Sequence, residues 1–104
     1  MNNKIIATLI FLSLIATAHA APFAKGDVAA GEKSFEKHNC KSCHVRMLGG
    51  DGSAIFTRAN HKVKTPSSLA TQIQHCSNNL GLMLFEDEEE NLAAYLNTKY
   101  YKFK

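Results

Sequence analysis

Two cysteines and a histidine within five residues constrain this chain more than any other feature. Cys40 and Cys43 are separated by two residues, and His44 follows directly. On one helical turn this spacing brings both thiols to the same side. A Cys-x-x-Cys-His sequence is typical of a c-type haem attachment site, in which two thioethers form and the imidazole binds the iron. The motif predicts one covalent haem c held by Cys40 and Cys43, with His44 as proximal ligand. Zinc and thiol redox sites, which also use paired cysteines, are the alternatives.

The N-terminus has the features of a secretory signal peptide. Lys4 supplies a positive charge, residues 5–18 are apolar apart from three hydroxyl side chains, and residues 18–20 read Ala-His-Ala, a small-x-small cleavage site. The apolar run is shorter than the roughly 20 residues of a membrane span. We predict a signal peptide over residues 1–20, a mature domain over 21–104 without a membrane span, and a periplasmic location; an uncleaved anchor is the alternative. Export agrees with the motif, because c-type haem is attached outside the cytoplasm.

The mature chain is small and close to neutral. Removal of residues 1–20 leaves 84 of 104 residues, and 11 Lys and Arg face 9 Asp and Glu because Lys4 is lost. A domain this short has a limited hydrophobic core and usually needs an additional stabilising element, such as a cross-link or a bound cofactor. A covalent haem would provide one. Its basic residues are dispersed, so nucleic acid is not an expected partner. The chain shows no nucleophile–base pair or paired carboxylates, so we expect a protein that is not an enzyme.

Capping residues and apolar periodicity predict three main helices and an all-α fold. The first covers residues 27–37, with Asp27 as N-cap and with Val28, Gly31 and Phe35 on one face. The second covers residues 67 to about 76 after the start signal Thr65-Pro66, with an apolar face of Leu69, Ile73 and Cys76 and a stop at Gly81. The third covers residues 86 to about 98, with acidic residues in its first turn and a buried stripe of Leu92, Tyr95 and Leu96. The aromatic residues of the tail, 99–104, are expected to pack back on the domain.

This arrangement resembles the class I cytochrome c fold, in which the first and last helices cross near a single haem. In that family a small residue of the first helix contacts an aromatic residue of the last. Gly31 and Tyr95 stand at the corresponding positions. The resemblance implies a cytochrome c domain over residues 21–104, with three main helices around one covalently attached haem.

The sixth iron ligand has several candidates in the sequence. Met47 and His38 are too close to the motif to reach the opposite face of the haem, and His61 lies in a polar stretch. Met83 precedes the last helix, where class I cytochromes take their methionine, but its neighbours make it equally suited to filling the core. His75 is the remaining candidate, at the end of the middle helix.

The segment from Gln74 to Gly81, continued to Leu96, resembles the cytochrome c″ (c-double-prime) family and related oxygen-binding monohaem cytochromes. In those families the sixth ligand immediately precedes a cysteine, and in cytochrome c″ it is a histidine; this implies His75 as the distal ligand, before Cys76. The family cysteine pairs with a second one eight residues later, where this chain has Leu84. Cys76 is therefore expected to have no partner within the chain.

Three functions follow from these predictions. The first is an exported monohaem cytochrome that transfers electrons to and from redox partner proteins in the periplasm. The second is a protein that binds or senses oxygen or nitric oxide after a dissociable distal histidine leaves the iron. The third is an accessory subunit of a periplasmic redox enzyme. A distal methionine raises the reduction potential, and an open iron site permits binding of a small molecule.

Overall fold

Helices make up most of the described part of the chain, and no strand occurs in it. The computed structural model describes residues 21–40, 44–45 and 49–104, so the predicted signal peptide, Cys43 and Met47 lie outside it. The elements within these residues include α1 (Val28–Lys37), α2 (Ala54–Thr57), α3 (Pro66–Asn79) and α4 (Glu86–Leu96), with a π-helical turn at Asn97–Tyr101. The all-α prediction is confirmed. None of the described helices combines the length and apolar character that a membrane span needs.

Helix α1 begins where the sequence places its cap. The Asp27 carboxylate accepts a hydrogen bond from the Ala30 N–H at 3.0 Å, which satisfies one of the free donors of the first turn. Gly31 and Phe35 are buried as expected. Val28, expected on the same face, is 39 % exposed.

The crossing of α1 and α4 is the closest helix contact. A Cβ atom at Gly31 would overlap the Asn91 carbonyl group and would lie 2.8 Å from Tyr95 Cβ, so only glycine permits this approach. The Asn91 side chain also accepts a hydrogen bond from the Asp27 N–H at 2.8 Å. The predicted contact between Gly31 and Tyr95 is confirmed.

Helix α3 is longer than predicted at both ends. Thr65 and Ser68 form a reciprocal capping box before it, and Pro66 occupies the first helical position. The helix runs to Asn79 and ends where Gly81 adopts a φ of +67°, the left-handed conformation that was expected there. Leu69 and Ile73 are buried on its inner face.

The C-terminal segment packs against the domain as predicted. The α-helical part of α4 ends at Leu96, two residues earlier than expected, and continues as the π-helical turn. Buried Asn97 accepts a hydrogen bond from the Phe103 N–H at 2.8 Å and donates one to the Phe103 carbonyl at 3.3 Å. Tyr100 stacks on Phe56 of α2, with ring centroids 4.7 Å apart. These contacts hold the tail over one end of the core.

Candidate functional site: an apolar cavity with thiol and imidazole walls

A cavity of about 500 Å³ opens between α3, α4 and the loops that follow the cysteine motif. Its volume falls within the roughly 300–1,000 Å³ range of ligand pockets. The walls are chiefly apolar and include Val63, Leu69, Ile73, Leu82, Leu84 and Leu92. Four groups with ligand chemistry also line it: Cys40, His44, His75 and Cys76. Residues that are 36 positions apart in the chain thus share one apolar space.

Cys40 lies at the inner wall of this cavity. Its backbone is helical, its side chain is half-buried, and it packs against the hydrophobic core. Burial raises the pKa of the Cys40 thiol, although a backbone hydrogen bond opposes that rise. The thiol is therefore held neutral and next to apolar surface. The second motif cysteine, Cys43, lies outside the described residues.

His44 is fixed by aromatic contacts. Its ring meets Phe56 edge-on at a centroid distance of 5.1 Å and lies 6.5 Å from Phe35. The Nδ1 atom is buried and has no hydrogen-bond partner. Burial lowers the pKa of His44, which favours the neutral imidazole that binds metals. A neutral imidazole that lines an apolar cavity is compatible with the role of an axial ligand.

A glycine-rich loop contacts His44 closely on the side that faces away from the cavity. Gly52 is buried with φ at +81°, and a Cβ atom there would lie 2.8 Å from His44 Cβ. A smaller pocket of about 110 Å³ lies on this side, with the polar side chains of Glu32, Glu36 and Asp51 in its wall. Phe35, His44 and Phe56 line both spaces, so they separate the polar pocket from the apolar cavity.

The two candidate distal ligands lie in different surroundings. His75 and Cys76 line the cavity at the end of α3, whereas Met83 does not line it and is 93 % exposed. Cys76 is half-buried and forms no disulfide, and its Sγ atom lies 3.3 Å from the donating Gln72 amide. The His75 side chain is exposed at the mouth. In this arrangement the imidazole, and not the thioether, borders the cavity.

His38 and His61 do not line the cavity. The Nδ1 atom of His61 lies 2.6 Å from the Arg58 carbonyl oxygen, and its ring lies 5.9 Å from that of Tyr101. His38 follows α1 as its C-terminal cap and does not line the cavity. Neither side chain therefore borders the cavity that His44 and His75 line.

Arg58 and Lys62 are site residues that the sequence did not single out as ligand contacts. Both are exposed, and both line the cavity, which makes them the cationic side chains at its mouth. Their positions match a ligand with an apolar body and carboxylate groups directed towards solvent. Their only signal in the sequence is their position on either side of His61.

The metal-binding side chains of the described residues do not form a cluster. No group of three or more His, Cys, Asp or Glu side chains in residues 21–40, 44–45 and 49–104 is placed to hold a bare ion. A haem needs only one or two axial protein ligands, because the porphyrin supplies the others. The apolar cavity, the half-buried Cys40 thiol and the unpartnered His44 imidazole are all compatible with a haem.

Comparison with known proteins adds no relative: no family model, curated protein or solved structure matches the chain. Functional inference therefore rests on the residues and contacts of this chain itself.

Proposed function

We propose that this protein is an exported monohaem c-type cytochrome that transfers electrons in the periplasm. One observation carries the proposal: Cys40, His44 and His75 line the same apolar cavity, of a size suited to a cofactor. The crossing of α1 and α4 at Gly31 and Tyr95 also supports a class I cytochrome c-like fold. A bound haem would supply an iron that accepts and gives single electrons.

Each wall of the cavity has a distinct task in this proposal. Cys40 and Cys43 would hold the haem through thioethers, and His44 would bind the iron from the proximal side. Phe35 and Phe56 keep the His44 ring in one orientation through their aromatic contacts. Burial keeps that imidazole neutral and able to bind metal.

The outer parts of the cavity would orient the ligand and exclude water. The apolar side chains contributed by α3 and α4 would cover the porphyrin faces and exclude water from them. Arg58 and Lys62 would pair with the haem carboxylates at the mouth. Such pairing would leave the charged edge of the cofactor towards solvent, where redox partners could approach.

His75 is the proposed distal ligand because it borders the cavity, whereas Met83 faces solvent. We expect His75→Ala to convert the ferric haem from low-spin to high-spin, as read from its absorption and electron paramagnetic resonance spectra. Met83→Ala should leave the ferric haem low-spin, and His61→Ala serves as a matched histidine control. A low-spin His75→Ala protein together with a high-spin Met83→Ala protein would assign the ligand to Met83.

The exposure of His75 favours a second candidate function, the binding of a small gaseous molecule. A ligand at the mouth of a cavity can leave the iron with little rearrangement of the core. In that case the ferrous protein should bind carbon monoxide rapidly, with a clear change in its haem spectrum. An unchanged spectrum would leave electron transfer as the supported function.

A further inference from the structure

The segment of residues 80–85, which joins α3 to α4, presents two apolar faces. Its leucines line the cavity, and these are Leu80, Leu82 and Leu84. The residues between and after them point outward: Met83 is 93 % exposed and Phe85 is 73 % exposed. Leu80 has helical backbone and is 50 % exposed, and Gly81 is left-handed, so the alternation runs from Leu82 to Phe85. Successive side chains that point to opposite sides are typical of extended backbone, which Phe85 adopts. The segment therefore covers the cavity with one face and presents large apolar side chains to solvent with the other.

Contacts with α3 and the core determine which side chains of this segment point inward and which point to solvent. The Leu82 N–H donates to the Ser77 carbonyl at 2.9 Å, and the Ser77 hydroxyl donates to the Leu82 carbonyl at 3.2 Å. Ser77 itself is only 4 % exposed, and Leu84 packs against the core. A shift of one residue would turn Met83 inward but would expose the leucines, so it has no energetic advantage. Met83 and Phe85 thus stay on the outside.

Negative charge lies directly beside this apolar face. Glu86 and Asp87 follow Phe85 in the first turn of α4, and both side chains are exposed. Neither of them forms an ion pair with another residue in the described part of the chain. An apolar centre with an acidic border has the composition of a transient protein-binding surface.

We propose that Met83, Phe85, Glu86 and Asp87 form the docking surface for a redox partner protein with an apolar patch bordered by lysine and arginine. The inference rests on the proposed function, because it names the kind of protein with which electrons are exchanged. Complementary charge would steer the encounter, and the apolar side chains would form the dry centre of the contact. The surface is small, as in the transient complexes of electron-transfer proteins.

The probe is horse mitochondrial cytochrome c, a lysine-rich redox protein, titrated into the ¹⁵N-labelled haem-bearing protein with both in the ferrous state. We expect the largest amide shift changes at residues 80–87, and their disappearance at about 1 M salt, where the Debye length is about 3 Å. Phe85→Ser should weaken binding roughly tenfold, since it removes an exposed aromatic anchor. This substitution also provides a favourable N-cap for α4, so the helix is preserved.

Matched variants separate the surface from general effects. Val28→Ser removes an exposed apolar side chain from α1 and should leave binding unchanged. Glu86→Gln with Asp87→Asn should weaken binding roughly threefold or more, whereas Glu32→Gln with Glu36→Gln, an equal loss of exposed charge on α1, should not. Shifts centred elsewhere, or equal losses in the control variants, would overturn the docking surface.

Two further outcomes are distinguishable. If residues 80–87 shift when the protein alone is concentrated, a second copy of this chain binds there, and the proposed partner is wrong. A chain that carries no haem would refute the proposed function instead. A haem-bearing protein without shifts at residues 80–87 would refute only the docking surface.

Discussion

The crossing of α1 with α4 and the apolar cavity differ in how closely their side chains pack. At the crossing, α1 and α4 meet so closely that Gly31 has no room for a methyl group beside the Asn91 carbonyl. At the cavity, beside the contact of α3 with α4, about 500 Å³ of largely apolar space remains between side chains. The crossing is formed by close contact between protein atoms, whereas the cavity is large enough to hold a cofactor.

The helix crossing therefore stabilises the fold, whereas the cavity is the region proposed to bind the cofactor. An empty apolar space is costly, since each lining side chain forfeits its packing contacts. A domain of this size has little stability to spare for such a space. A bound haem would restore the lost contacts, so the cavity region should depend on the cofactor and the crossing should not.

The largest expected effect concerns the cofactor. In a chain with Cys40→Ala and Cys43→Ala, which cannot form thioethers, we expect amide exchange in α3 to accelerate by roughly 100-fold or more. Amides of α4 near Tyr95 should remain protected, because the crossing does not use the haem. Cys76→Ala, which leaves the attachment motif intact, is the matched control. Equal loss of protection in both helices would show that the two regions are not separable.

A smaller effect is expected at the crossing. Glycine to alanine inside an ordinary helix stabilises a protein by about 0.5–1 kcal/mol. Gly31→Ala should instead lower the free energy of unfolding by at least about 2 kcal/mol, because the added Cβ meets backbone atoms that cannot move aside. Urea denaturation measures the change. Ala29→Leu on the exposed face of α1 should stay within about 0.5 kcal/mol of the parent, and a stabilised Gly31→Ala protein would contradict the observed packing.

The smallest effect is a pH dependence at the edge of the cavity. Burial, with a contribution from nearby Cys76, raises the pKa of Tyr101 from 10.0 to about 12. The unfolded chain therefore loses this proton first, so stability is complete below pH 10 and falls as the pH rises towards 12. The loss should stay below about 1.5 kcal/mol, since the half-exposed ring is partly screened by solvent. Denaturation between pH 9 and 12 measures it, and Tyr101→Phe should abolish this part of the pH profile; an unchanged profile would show that another group is responsible.

Local signals in the sequence predicted the fold well where they act over a few residues. The caps at Asp27 and Thr65, the left-handed Gly81 and the contact of Gly31 with Tyr95 all occur as expected. Helix α2 was not predicted, because a single turn has little propensity of its own. It is held by the stacking of Phe56 on Tyr100, a contact between residues far apart in the chain.

Features of the candidate site were harder to predict, because they depend on which way each side chain points and not only on which residues are present. The sequence identified His75 and Met83 as candidate ligands but could not say which of them borders the cavity. That information lies in the alternation of residues 80–85, which is set by the hydrogen bonds between Ser77 and Leu82. The roles of Cys40, Cys43, His44 and His75 in holding a haem remain predictions.

The central claim is that a haem is bound covalently to the chain in the apolar cavity. The most direct measurement is the intact mass of the protein, produced in a host that attaches c-type haem, after extraction with acidified acetone. We predict a polypeptide that still carries the mass of one haem, and loss of that mass when Cys40 and Cys43 are both replaced by alanine. A parent protein with the mass of the bare polypeptide would contradict the claim.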